Sequence, residues 1–151
     1  MHTWWQRSAG FSSVFLRFAL GSAFLSAVAD RFGWWGAFGQ ANVAWGEFSR
    51  FVAYTGKLNA FLPGSAIMPL AVAVTIAELV LGLLLVLGWQ TRIAALSSGI
   101  LLTVFALAMT AALGIKAPLN FSVFSAAGGS LLLAACPEFP LSLDGLMADS
   151  R

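Results

Sequence analysis

The sequence predicts an all-α integral membrane protein: an antiparallel four-helix bundle with an amphipathic helix between its first and second spans. Three observations predict it. Residues 68–88 read MPLAVAVTIAELVLGLLLVLG, polar only at Thr75 and Glu78. As a helix, such a run crosses the roughly 30 Å hydrocarbon core of a bilayer. Three further apolar runs, at about 11–30, 93–113 and 119–136, have comparable length. The whole chain of 151 residues is 60% hydrophobic and 9% charged. A soluble domain has about 25% charged residues, so this chain has too few to cover a water-facing surface.

Taken in order, residues 1–10 form a polar lead whose Trp4 and Trp5 suit the headgroup layer. The first span, 11–30, contains Arg17. Arg7 ahead of it and Ala27-Val28-Ala29 near its end imitate a signal peptide, but Arg17 interrupts the apolar core such a leader needs. A retained first span is the expectation. Residues 33–69 are the one long connection. Within it Trp45, Phe48, Phe51, Val52, Thr55, Leu58 and Leu62 recur on one helical side, opposite Glu47, Arg50 and Lys57. A helix over about 45–62 therefore either lies flat in the interface or caps the mouth of the bundle.

Leu62-Pro63-Gly64 ends that helix, and the second span follows. Gly88 to Arg92 makes a tight turn, and 93–113 is the third span. Lys116 lies in the next turn, and the fourth span, 119–136, is stopped by Pro137 and Pro140. The length allows a single domain, 1–151. Four spans put both termini on one side. Arg7, Arg92 and Arg151 fall on that side and Arg31, Arg50, Lys57 and Lys116 on the other. Charges in the long connection count for less, which places the termini in the cytoplasm.

Composition also excludes functions. The net charge of +2 comes from scattered residues with no basic block, which argues against a nucleic-acid partner. Cys136 and His2 are the only residues of their kinds, so one chain can form no internal disulfide, no CxxC redox pair and no bis-histidine haem. They also argue against a zinc or copper site, and no metal is expected.

The candidate chemistry centres on Glu78, about ten residues from either end of its span. A carboxylate at that depth costs several kcal/mol unless it is paired, protonated or in contact with water. Ala71, Thr75, Glu78 and Gly82 share one small, polar stripe, which faces protein or a cavity. Arg17 is the expected partner. It lies about six residues into the first span and Glu78 about ten into the second from the same side, about 6 Å apart in depth. In a functional reading the pair lines a pocket, with Arg17 holding an anionic or carbonyl oxygen and Glu78 moving a proton. A quinone headgroup fits such a slot. In a structural reading the pair fixes helix register, or Arg17 snorkels and Glu78 stays protonated. Asn120 is a candidate cap or pocket donor. Asp30 and Arg31 read as an interfacial charge pair, and Cys136 as an inert apolar residue.

Several stretches resemble the DoxX-like family of small four-helix bacterial membrane proteins. They are Leu16-Arg17-Phe18-Ala19-Leu20-Gly21 leading to Ala29-Asp30-Arg31-Phe32, then Ala77-Glu78-Leu79-Val80-Leu81-Gly82 with Leu87-Gly88 and Thr91-Arg92, and Ser142-Leu143-Asp144 after the last span. The resemblance implies a bundle in the bacterial cytoplasmic membrane and a link to redox work, since one relative is a subunit of a thiosulfate:quinone oxidoreductase. It carries over Arg17 and Glu78 as the matching polar residues and Ser142 and Asp144 as structural ones. The expectation is a membrane subunit or anchor of a quinone-linked redox system, not catalytic on its own. Its expected partners are the bilayer, a soluble oxidoreductase and further copies of itself. The alternatives are a transporter of small solutes or lipophiles along the same stripe, and a scaffold without ligand.

Overall fold

In hydrocarbon each backbone polar group must find its partner within its own segment, so long apolar runs fold as helices. The computed structural model describes residues 2–149, with side chains from 10 to 147. The side chains of Trp4, Trp5 and Arg7, and the whole of Arg151, lie outside the described residues. Seven helices make up about three quarters of the chain: α1 (His2–Arg31), α2 (Phe48–Leu58), α3 (Gly64–Leu87), α4 (Thr91–Leu113), α5 (Lys116–Asn120), α6 (Val123–Ala134) and α7 (Leu143–Asp149). There is no strand among the described residues. Three stretches, Gly10–Arg31, Gly64–Leu87 and Thr91–Leu113, are long and apolar enough to cross a membrane.

The expected fourth span differs. One continuous helix over 119–136 is replaced by α5, a break at Phe121 and Ser122, and the short apolar α6. Ser122 takes a left-handed conformation, φ 54°, which ends α5 and starts α6 in a new direction. Short polar side chains such as Asn120 and Ser122 tolerate this geometry, and the apolar run conceals it.

The helices pack as two close pairs, α1 with α3 and α4 with α6, joined through α3 against α4 and α1 against α6. Gly21 and Gly82 set the first pair. A Cβ at Gly21 would fall 3.0 Å from the Gly82 carbonyl oxygen, and one at Gly82 would fall 3.1 Å from that of Gly21. The two backbones therefore touch, as small residues permit. Leu20, Phe24, Leu85, Ala94, Ala95 and Leu133 form the core between the pairs. Phe11, Phe15, Leu79, Leu83, Ile93, Ile100 and Leu107 are exposed, as a lipid-facing surface requires.

The amphipathic helix is α2, shorter than its sequence pattern. Its buried Phe51 and Thr55 face α1, α3 and α4, while Arg50 and Lys57 face outward. Gly56 packs against Ile67 and Phe48 stacks on Phe32, so α2 covers the end of the bundle where α1 stops and α3 begins. At the opposite end Gly10 lies against Pro140, bringing the two ends of the described chain together.

Candidate functional site

Two polar centres sit at opposite ends of the α1–α3 pair, and the expected Arg17–Glu78 pair is not one of them. Glu78 is paired with Arg31: Arg31 Nη2 lies 2.5 Å from Glu78 Oε2, with both side chains 4% exposed. Arg31 Nη1 donates to Thr75 Oγ1 at 2.9 Å, and Thr75 donates in turn to the Ala71 carbonyl. The reason is the direction of helical side chains. Each Cα–Cβ bond tilts toward the N-terminus of its own helix. With Gly21 opposite Gly82, Arg17 and Glu78 stand on opposite sides of the contact, about 12 Å apart along the axis, with side chains that diverge. Arg31 and Glu78 stand on the same side, about 9 Å apart, with side chains that converge.

The Arg31 centre is sealed from the loop side. The Phe51 ring lies 3.6 Å from the Arg31 guanidinium carbon, a cation–π contact in a desolvated setting. Trp45 and Phe48 pack against Phe51, and Trp45 also meets Tyr54. Asp30 fastens this roof. Its Oδ2 accepts from the backbone N–H of Ala44 at 3.1 Å and of Trp45 at 2.9 Å, while its carbonyl accepts from Gly33 and Gly46. Three buried polar atoms here have no hydrogen-bond partner: Arg31 Nε, Asp30 Oδ1 and Glu78 Oε2, the last held by its ion pair with Arg31. An unmatched donor on a buried cation costs about 1–3 kcal/mol or more, so it marks a place where a ligand acceptor would be rewarded.

Arg17 does different work at the other end. It is 1% exposed, and its three donor nitrogens reach three carbonyls: Nε to Leu85 at 2.9 Å, Nη1 to Pro140 at 3.1 Å and Nη2 to Leu141 at 2.7 Å. Leu85 lies in the last turn of α3, where carbonyls lose their helical partners and a cation complements the helix dipole. Gly88 ends α3 at φ 67°, and a Cβ there would fall 2.8 Å from Arg17 Cζ and 2.4 Å from Ser142 Cβ. Ser142 donates to the Phe139 carbonyl and accepts from Gly145 N–H at 2.9 Å.

Asp144 completes this second centre. It accepts from Gln90 N–H at 2.8 Å and Thr91 N–H at 2.7 Å, capping α4 from across the chain. Partial burial pushes its carboxyl up, but the bonds from Thr91 and Gln90 and the charge of Arg17 together hold it below the usual carboxylate range. Each nitrogen of the Arg17 guanidinium has an acceptor, so this centre ties α1, α3, α4 and the last segment together. Asn120 is exposed at the end of α5 and shares no hydrogen bond with either centre. The sequence signal that finds Arg31 is the tilt of the side chain, which a comparison of Cα depths leaves out.

A helical bundle with three helices long and apolar enough to cross a membrane, a shorter apolar α6 and a buried ion pair defines a multi-pass membrane protein in contact with the lipid bilayer. The chain belongs to the DoxX family, whose family model matches residues 12–113. That stretch contains both buried arginines and Glu78. No curated protein matches the chain, and no solved structure does.

Proposed function

We propose that this protein is a membrane subunit of a quinone-linked redox system in the bacterial cytoplasmic membrane, with its chain ends on the cytoplasmic side and a soluble oxidoreductase as partner. One observation carries the reading: Arg31 keeps an unmatched N–H in a buried, aromatic-roofed site directly beside the Glu78 carboxyl. A quinone carbonyl is the acceptor such a donor suits. Reduction to the quinol takes two electrons and two protons. The partner supplies the electrons, and Glu78 passes the protons one at a time, recharged from water. Thr75 holds the guanidinium plane, so the donor is positioned before the ligand arrives. Arg17, which carried this role in the sequence reading, is a fastening residue instead.

The test is binding of decylubiquinone and a short-chain menaquinone to the purified protein in nanodiscs. Saturable binding is expected, weakened at least tenfold in Arg31→Lys. Glu78→Gln is expected to bind within threefold of wild type but to slow partner-dependent reduction at least tenfold. Absence of saturable binding, or binding unchanged in Arg31→Lys, overturns the proposal. Solute uptake by proteoliposomes holding this protein alone would replace it with the transporter reading.

A further inference from the structure

A groove of about 810 Å³ runs along α1 beside its contact with α3, walled on that side by Leu25 and by Val86 of α3. Its floor is Ala19, Ser22, Ala23, Ser26 and Ala29, all of them small. The indole of Trp35 folds back over one end, its Nε1 donating to the Ser26 carbonyl at 3.1 Å, and Trp34 stands beside it, 81% exposed. The other end stops at Phe18, beyond which Phe15 and Phe11 stand out from the same helix, 70% and 76% exposed. The Ser22 hydroxyl is already bonded to the Ala19 carbonyl. Apart from the hydroxyls of Ser22 and Ser26, the groove offers apolar contact along its length.

We infer that this groove binds one acyl chain of a membrane phospholipid, taken from the leaflet that holds the α2 end of the bundle. Three features select that occupant. The groove is continuous with the lipid-facing surface of α1, so hydrocarbon is the medium that fills it. From Phe18 to Ala29 it runs about 17 Å, close to half of the roughly 30 Å hydrocarbon core, which is the reach of one chain in one leaflet. Its closed end carries two tryptophans, the residues that mark the headgroup boundary. A transmembrane helix from a second copy would need the small-residue face to continue across the midplane, and the phenylalanines stop it there. A long polyprenyl tail would overrun the same stop.

The experiment is native mass spectrometry of the full chain released from micelles doped with palmitoyl-oleoyl-phosphatidylglycerol. One lipid per chain is expected to survive detergent that strips the remainder. Ala23→Phe, which fills the floor, should cut that occupancy at least fivefold, whereas Ile100→Phe on the lipid face of α4 should not. If Ala23→Phe fails to fold, Trp35→Ala decides: removing the overhang should shorten lipid retention at least threefold. No retained lipid, equal retention in wild type and groove variants, or a discrete dimer that Ala23→Phe dissociates would each overturn the inference.

Discussion

Arg31, at the last position of α1, pairs with Glu78, in the middle of α3, by reaching back along its own helix into the bilayer interior. This inverts the usual snorkelling of a terminal arginine toward water. It is sustained by Glu78 on one side, Thr75 on another and the face of Phe51 above.

Removing one member of that pair strands the other. Glu78→Ala or Arg31→Ala is expected to destabilise the protein by about 3–5 kcal/mol, because each leaves an uncompensated buried charge. Arg31→Leu combined with Glu78→Leu should recover much of the loss, since replacing both partners by apolar groups of similar volume is often neutral. Thermal unfolding in detergent, run as a double-mutant cycle, checks this. A double variant as unstable as the sum of the singles would show that the two residues act independently.

Arg17 is expected to behave differently from Arg31. A lysine at 17 keeps the charge but loses the planar fork that serves the Leu85, Pro140 and Leu141 carbonyls together. Hydrogen bonds to charged groups contribute about 1.5–3 kcal/mol each. Arg17→Lys should therefore cost about 2–3 kcal/mol and raise proteolysis around residues 137–143, with quinone binding by the folded fraction unchanged. Limited proteolysis and binding measured on one preparation separate the two effects.

Much of this was legible in the sequence, and what was not has physical causes. Period and hydropathy locate the helices, because lipid leaves an apolar run no other option. The depth of Glu78 marks it as a residue that needs a partner. The identity of that partner depends on which way two side chains tilt, and Cα spacing does not carry that. The three acceptors of Arg17 are main-chain carbonyls, which have no sequence signature. The Ser142-Leu143-Asp144 tail and the Gly88-Trp89-Gln90-Thr91 turn stand more than fifty residues apart in sequence, and only the fold shows that one caps the other.

That cap gives a pH dependence with a definite sign. The Asp144 carboxyl sits below its ordinary value in the folded protein. Its contribution is therefore fully present above the usual aspartate range of about 3.9 and is lost as pH falls through the lower folded value. Hydrogen exchange at the Gln90 and Thr91 amides, corrected for intrinsic rate, should stay slow from pH 8 to about 5 and accelerate only in stronger acid. Asp144→Ala should abolish the protection at neutral pH and cost about 1 kcal/mol, as loss of a helix cap does.

Gly88 is expected to tolerate no side chain. Its φ of 67° already penalises an L-residue, and a new Cβ would meet Ser142 and the Arg17 guanidinium. Gly88→Ala should lower the unfolding temperature more than an alanine at Gly128, where a Cβ meets nothing within 4 Å. Gly128 lies in an α6 helix turn, so alanine there should be neutral or mildly stabilising. Equal effects at the two positions would mean that the α3–α4 turn relaxes away from Arg17.

Asp30 decides whether the roof over Arg31 stays closed. Its Oδ2 accepts from Ala44 and Trp45, and Trp45 packs on Phe51, which covers the guanidinium. Asp30→Ala removes both acceptor bonds, at about 1.5–3 kcal/mol each for bonds to a charged group. The expected result is faster hydrogen exchange across residues 44–51 and weaker quinone binding, with α3 and α4 as protected as before. Asp30→Asn retains one acceptor oxygen and should restore part of the protection. If exchange at 44–51 is unchanged in Asp30→Ala, the connection is held by its aromatic contacts alone, and Phe51→Ala becomes the variant that opens the centre.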